Sequence, residues 1–304
     1  DLWISNCAIE SVGWRVMMKT ISNYAMANKV RYQVEDRPGR PANLLTPKGL
    51  ASVVGLKALP GTTQNTLPFK SILNQAVKEA RMLYDAGIRN ILIQNVNDLP
   101  MYVHVGANII SYMTAIGYAI RQELPSDCVL GVSVLRDDAD AMVAIASAIE
   151  ADYIRPKAYV GSVVGVDGIH SGCIDTVLEM RYKLRCDVNI WPDIHDRSSS
   201  PLGDVSLVDA CQQAISQGLA DAVIITGKDF QESEQKIRLV KENIPGTYVF
   251  LGGGANTHNL AQVYDMADGA FVASCLKDTG NMTGNLDQGK LDHFMQVYSD
   301  LAGK

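Results

Sequence analysis

Asp193 and His195 close the run VNIWPDIH (188–195), two residues apart. Successive side chains of an extended strand alternate faces, so Asn189, Trp191, Asp193 and His195 share one. An aspartate and a histidine in that register can exchange protons with a substrate or hold a divalent metal ion. The plainer alternative is a loop-capping His195 and an Asp193 paired with a nearby base. DYIRPK (152–157) repeats the pattern, with Tyr153, Arg155 and Lys157 on one face. Two cations at a strand end suit a phosphate or carboxylate, unless one of them neutralises Asp193. QNVND (94–98) supplies the amides Gln94, Asn95 and Asn97 and the acid Asp98. These orient a polar substrate or cap their own loop. Asp193, His195, Asp98 and Arg155 are the candidate catalytic residues, with Asp193 and His195 the ligands of any divalent ion.

A second group is suited to anions. YVFLGGG (248–254) is an apolar run closed by Gly252, Gly253 and Gly254, and GAFVAS (269–274) is another, closed by Ala273 and Ser274. Glycines after a strand let the backbone bend sharply and approach a ligand closely. The helix expected from about 256 to 266 would then aim its N-terminal N–H groups at that ligand. Thr226, Gly227 and Lys228 end a further run and could add a hydroxyl, an N–H and an ammonium. Lys228, and Lys277 past the last run, could equally stand in solvent. With Asn95 and Lys157, these form the candidate phosphate-binding set.

Elements that alternate without interruption would position these groups. Strands are expected at 52–56, 90–95, 129–134, 152–156, 188–194, 221–226, 248–251 and 269–273. Helices are expected at 69–85, 107–123, from Asp137 or Asp138 to 149, 174–184, 204–217, 231–243, 256–266 and 287–301. Near-continuous Val/Ile/Leu strands separated by helices imply parallel strands covered on both faces. Eight such units imply a (β/α)8 TIM barrel, with a doubly wound open sheet as the alternative. The longest loops follow strands one, two, four and five, so they build the mouth at the C-terminal end. The barrel is expected over residues 51–304 and an N-terminal extension over 1–50. That extension carries seven basic residues against four acidic ones, a helical pattern at 9–27, and RPGRPANLLTPKG (37–49), which breaks regular structure. A packing arm or oligomer contact is the simplest reading; a lid or an organelle-targeting remnant is the other.

Bulk properties narrow the classes. The 304 residues carry a net charge of −6 and no long basic run, which disfavours nucleic acid as a partner. No apolar stretch approaches the roughly 18 residues of a membrane span. The six cysteines are scattered without a C-x-x-C pair, as in reduced thiols rather than a disulfide frame or zinc site. Cytoplasm is the default compartment, and a mitochondrial or plastid matrix is the alternative that the basic N-terminal segment allows.

Several motifs in fixed order resemble the BtpA/SgcQ family across about 51–300: LPG (59–61), QNVNDLP (94–100), GVSVLRDDADAMVAIASAIEADYIR (131–155), VGSVVGVDGI (160–169), DVNIWPDIHDRSSSPL (187–202), GLADAVIITG (218–227) and the glycine-rich 252–277. The resemblance implies a ribulose-phosphate-binding-like barrel. Members are tied to photosystem I biogenesis in cyanobacteria or sit among sugar-phosphate genes, and one branch carries a nucleoside-triphosphatase label. Asp98, Arg155, Asp193, His195 and the glycines match the family pattern. Gln94 stands where a Glu is usual, Asp137 where an Asn is, Pro156-Lys157 where Val-Asn is, Asn189 where a Lys is, and Arg197-Ser198 where Lys-His is. The expected function is therefore binding of a small phosphorylated metabolite at the barrel mouth, by a hydrolase, lyase or isomerase with altered catalytic positions. The alternative is a non-catalytic binding or assembly factor. A homo-oligomer or a subunit of a larger complex fits either.

Overall fold

Strands that are apolar on both faces must be covered on both, and the chain achieves this by curling one parallel sheet into a cylinder. A computed structural model describes residues 44–45 and 48–302. The extension expected over residues 1–50 thus lies almost wholly outside the described residues. Strand β1 begins at Gly49, ahead of the expected start at 52.

The alternation runs β1 (Gly49–Gly55), α1 (Phe69–Asp85), β2 (Asn90–Gln94), α2 (Ala107–Glu123), β3 (Val129–Ser133), α3 (Ala139–Ala148) and β4 (Tyr153–Ile154). A hairpin follows, β5 (Ser162–Gly165) and β6 (Gly168–Ser171), then α4 (Ile174–Leu184), β7 (Asn189–Ile190), β8 (Asp193–Ile194) and β9 (Ser200–Pro201). The chain continues through α5 (Leu207–Ser216), β10 (Val223–Ile225), α6 (Phe230–Asn243), β11 (Val249–Leu251), α7 (Leu260–Met266), β12 (Gly269–Val272), a 3-10 turn (Ser274–Leu276) and α8 (Gln288–Ala302).

The main sheet has the order β7-β4-β3-β2-β1-β12-β11-β10-β8, and every pairing in it is parallel. Its two ends, β7 and β8, are halves of the single expected strand at 188–194. β7 pairs with β4 and β8 with β10, so this strand closes the cylinder. The break falls at Pro192, which has no N–H to give a ladder but accepts one from Ile224 at 2.8 Å. The result is the expected (β/α)8 TIM barrel.

The lower barrel is filled by aromatics. Trp191 stacks on Tyr153 at 3.9 Å between ring centres and on Phe250 at 5.1 Å. Gly131 makes room for this stack, since a Cβ there would fall 2.2 Å from the Tyr153 ring. Above the aromatics the inward positions become polar. Helices pack outside through surfaces such as Ile72, Ala76, Ala80 and Leu83 of α1.

One element was legible and missed. Residues 157–172 were expected as a long loop, yet within them β5 and β6 pair antiparallel around Val166-Asp167, and β9 adds a third strand. Asp167-Gly168, between a valine-rich run and Ile169, is a hairpin signal. This small sheet stands over one side of the mouth. No helix among the described residues is long and apolar enough to cross a membrane.

Candidate functional site

The C-terminal strand ends surround a cavity of about 280 Å³. Its wall includes Gln94, Arg136, Asp137, Lys157, Thr226 and Gly252, with His170 of the hairpin and Asp196–Ser199 of the β8–β9 loop on the far side.

Immediately below lies the Asp193 network. Alternation places Tyr153, Arg155, Trp191 and Asp193 inside the barrel as expected. Arg155 meets Asp193 with two bonds, Nε to Oδ2 at 2.7 Å and Nη2 to Oδ1 at 2.9 Å. Lys157 Nζ adds a third contact at 3.2 Å. Arg155 also reaches the Gly252 carbonyl at 3.2 Å and lies over the Phe271 ring at 4.3 Å. Burial alone would lower the Arg155 pKa, but the Asp193 charge and hydrogen bonds outweigh it and hold the guanidinium protonated. Asp193 thus gives both oxygens to cations.

His195 leaves this group. Its backbone is left-handed (φ 50°), which breaks the alternation and turns the ring outward. There it lines an outer groove with Lys228, Glu232 and Lys236. Burial lowers its pKa and the Lys236 charge lowers it further, so the ring is neutral at pH 7. No hydrogen bond joins it to Asp193, and no group of three His, Cys, Asp or Glu side chains suited to a metal occurs among the described residues. The Asp193–His195 pair therefore does not fit a divalent ion in this arrangement.

Asp98 and Asn95 brace the loops. Asp98 is buried and accepts from the Leu59 N–H at 2.8 Å and from Asn95 Nδ2 at 3.2 Å. Asn95 Oδ1 accepts from the Leu135 N–H at 2.7 Å. Burial raises the Asp98 pKa, against these two donors. Both side chains tie the loop after β1 to the end of β3 and stand outside the cavity wall. Gln94 does line it, and donates to Ser133 Oγ at 3.2 Å.

The glycine turn lies at the opposite edge. A Cβ on Gly252 would fall 2.1 Å from Thr226 Oγ1 and 2.7 Å from Ile224 Cγ2, so only glycine fits between β10 and β11. Gly254 is left-handed (φ 91°). Gly253 stands under the Arg197 guanidinium, which would be 3.9 Å from a Cβ there. Among the described residues the N–H groups of Gly253, Gly254 and Ser274 have no partner. The expected helix at 256 starts only at Leu260, because residues 256–259 form turns in which Asn259 Oδ1 takes the Asn256 N–H. Ala273 precedes the 3-10 turn that Ser274 opens. The Gly227 N–H is taken by Ser233 Oγ at 2.8 Å, and Lys228 is exposed. Lys277 is neither a mouth group nor solvated: it is 1% exposed and bonds Glu79 of α1 at 2.7 Å.

Thr226 has the most informative environment. It is 3% exposed, lines the cavity, and its hydroxyl has no hydrogen-bond partner among the described residues. Buried hydroxyls are nearly always satisfied.

Sequence reasoning passed over two carboxylates of this wall. Asp196 is buried beside Lys157 Nζ (3.6 Å) and bonds the Ser198 hydroxyl. Burial raises its pKa, but Lys157 and the Ser198 hydroxyl and N–H prevail and bring it down to about 2. Asp137 and Asp138 were equal candidates for the cap of α3. Asp138 takes that role, accepting from the Ala141 N–H at 3.0 Å. Asp137 instead turns to the cavity with a left-handed backbone (φ 61°) and accepts the N–H groups of Lys157 and Ala158. The doubled acid in LRDD was the available signal, because one helix needs only one capping acid.

The BtpA family model matches residues 46–300. The chain belongs to the BtpA family. It is 30% identical to the photosystem I biogenesis protein BtpA of Synechocystis over 251 residues, which cover 82% of this chain and 87% of that protein. An uncharacterised Methanocaldococcus jannaschii protein is 31% identical, over 79% of this chain and 91% of its own length. A Caenorhabditis elegans relative described as mitochondrial is 30% identical, over 82% and 92%. Among solved structures, thiamine phosphate pyrophosphorylase from Pyrococcus furiosus superposes with a TM-score of 0.53 at 16% identity, over 85% of this chain and 99% of that one. Phosphoribosyl anthranilate isomerase from Thermotoga maritima gives 0.51 at 12% identity, over 84% and 100%. At such identities these structures establish the barrel alone. Gln94 leaves the cavity wall without a carboxylate at the end of β2.

Proposed function

We propose that this BtpA-family barrel binds a small phosphorylated metabolite in the mouth cavity and acts on it as an isomerase, lyase or hydrolase. The observation that carries this reading is the buried Thr226 hydroxyl of the cavity wall, which has no partner among the described residues. A buried hydroxyl without a partner costs about 1–3 kcal/mol, which a ligand's acceptor oxygen would remove on reaching it. Lys157 and Arg197 line the same wall beside Gly252, and Gly253, under the Arg197 guanidinium, has an N–H with no partner among the described residues. Together they offer a phosphoryl group several charge-assisted donors. Two fold neighbours carry phosphorylated compounds in their names, which is consistent with this choice of ligand.

Calorimetric titration with a panel of sugar phosphates, each against its unphosphorylated sugar, tests the reading. Phosphorylated compounds are expected to bind, and Thr226→Val to weaken binding about 2- to 12-fold, the equivalent of one hydrogen bond, while leaving stability equal or higher. Equal affinity for both sugar forms, or unchanged binding by Thr226→Val, would refute it.

A binding or assembly protein without turnover is the second reading. It is favoured by Asp98 and Asp193, two acids expected to be catalytic, being spent on loop and ion-pair bonds. Product analysis on whichever compounds bind separates the two readings. Native mass spectrometry separates a monomer from the proposed homo-oligomer or complex subunit.

A further inference from the structure

The cavity needs a group able to move a proton if it is to do chemistry, and its acids can be sorted by what already holds them. Asp193 is clamped by Arg155 and Lys157. Asp196 has Lys157 and Ser198. Asp98 and Asp138 accept loop and helix N–H groups away from the cavity centre. His170 is bonded to Asp167 at 2.8 Å. Asp137 differs from all of these: it lines the cavity and forms no ion pair among the described residues.

We propose that Asp137 is the acid–base group of the mouth, giving a proton to, or taking one from, an oxygen of the bound phosphorylated ligand. As acid, its O–H bond breaks and the proton moves to the ligand oxygen, leaving the aspartate carboxylate; the reverse transfer restores it. This rests on the reading that the cavity holds such a ligand.

The geometry suits the role. Oδ1 accepts the Lys157 N–H and Oδ2 the Ala158 N–H at 3.1 Å. These bonds fix the carboxyl plane while leaving each oxygen a further lone pair. The charged and titratable groups around it are Arg136 on its own turn, Lys157 after β4, Asp193 on β8, Asp196 and Arg197 on the following loop, His170 on β6 and Cys173 before α4. Arg136 is bonded to Asp167, and the Lys157 ammonium lies between Asp193 and Asp196. Burial moves the Asp137 pKa up to about 6 against the Lys157 N–H and ammonium, with the Asp193 charge adding to the rise. Both protonation states are therefore accessible near neutral pH, as an acid–base catalyst requires.

Sulfate, which does not titrate in this range, is the probe. A bound anion raises a neighbouring carboxyl pKa; a shift of about one unit at pH 6.5 gives uptake of roughly half a proton per sulfate. The uptake is read from the dependence of calorimetric heat on buffer ionisation enthalpy. Wild type is expected to show it and Asp137→Asn to bind sulfate without it. Sulfate binding with no uptake, or equal uptake by Asp137→Asn, overturns the inference. Absence of sulfate binding overturns the phosphate reading and this inference with it. Carboxyl carbon NMR of the ligand-free wild type is a second measure should the variant misfold. A cavity carboxyl titrating near pH 6 is expected, and its absence refutes the proposal.

Discussion

Replacing Arg155 by leucine separates a structural Asp193 from a functional one. Both side chains are buried and joined by bonds of 2.7 and 2.9 Å. Removing one partner of a buried pair strands a charge and costs about 3–5 kcal/mol. Lys157 remains 3.2 Å from Asp193, and leucine keeps apolar contact with Phe271, so the lower end applies, about 3 kcal/mol. For a chain of this size that is a fall in Tm of about 6–9 °C, at roughly 2–3 °C per kcal/mol. Asp193→Leu alone strands Arg155 at a similar cost. The double variant removes both charges, and Lys157 keeps Asp196 at 3.6 Å. It is expected within about 1–2 kcal/mol of wild type, giving a coupling of about 4 kcal/mol between the two sites. Urea denaturation at pH 7, with unchanged m-values, measures all three variants. An Arg155→Leu cost below about 1 kcal/mol, or additive single effects, would refute the assignment of Asp193 to the ion pair.

Two further outcomes follow from the same wall. Gly252→Ala places a Cβ 2.1 Å from Thr226 Oγ1 and 2.7 Å from Ile224 Cγ2; a loss of about 1–3 kcal/mol with weaker sulfate binding is expected in thermal melts and calorimetry, and unchanged values would contradict it. Stability against pH carries two opposite slopes. Asp196, lowered from 3.8 to about 2, contributes stability that is present above about pH 4 and lost as pH falls through 2, worth about 2 kcal/mol. Asp137, raised from 3.8 to about 6, lowers stability as pH rises from about 4 through 6. Asp196→Asn should flatten the acid limb of a pH series and Asp137→Asn the limb between 4 and 6; slopes that survive these changes would refute the attributions.

Much of the scaffold was readable because it follows from local pattern. The helices at 69–85, 107–123 and 174–184 fall where the apolar spacing places them. The inward parity of Tyr153, Arg155, Trp191 and Asp193 follows from strand alternation. His195 escapes that rule because one left-handed residue redirects everything after it. Lys277 was illegible because its partner, Glu79, lies 198 positions away in sequence. The Asp-Gly of the hairpin and the doubled acid of LRDD were present as signals but were outweighed by loop and cap readings that fitted equally well.

Local pattern along the chain is enough to set the barrel, the glycine turn at 252–254 and the acids and bases at the strand ends. Periodicity and glycine placement act over a few residues, and those are enough to set them. Only the closed cylinder decided how the charged groups are shared out. It brings Arg155 to Asp193 across 38 positions and Lys157 between Asp193 and Asp196. It leaves Thr226 and Asp137 on the cavity wall, the first with no hydroxyl partner and the second with no ion pair among the described residues. An acid's chemistry depends on which partners come within about 3–4 Å of it, and those distances exist only once the eight strands have met.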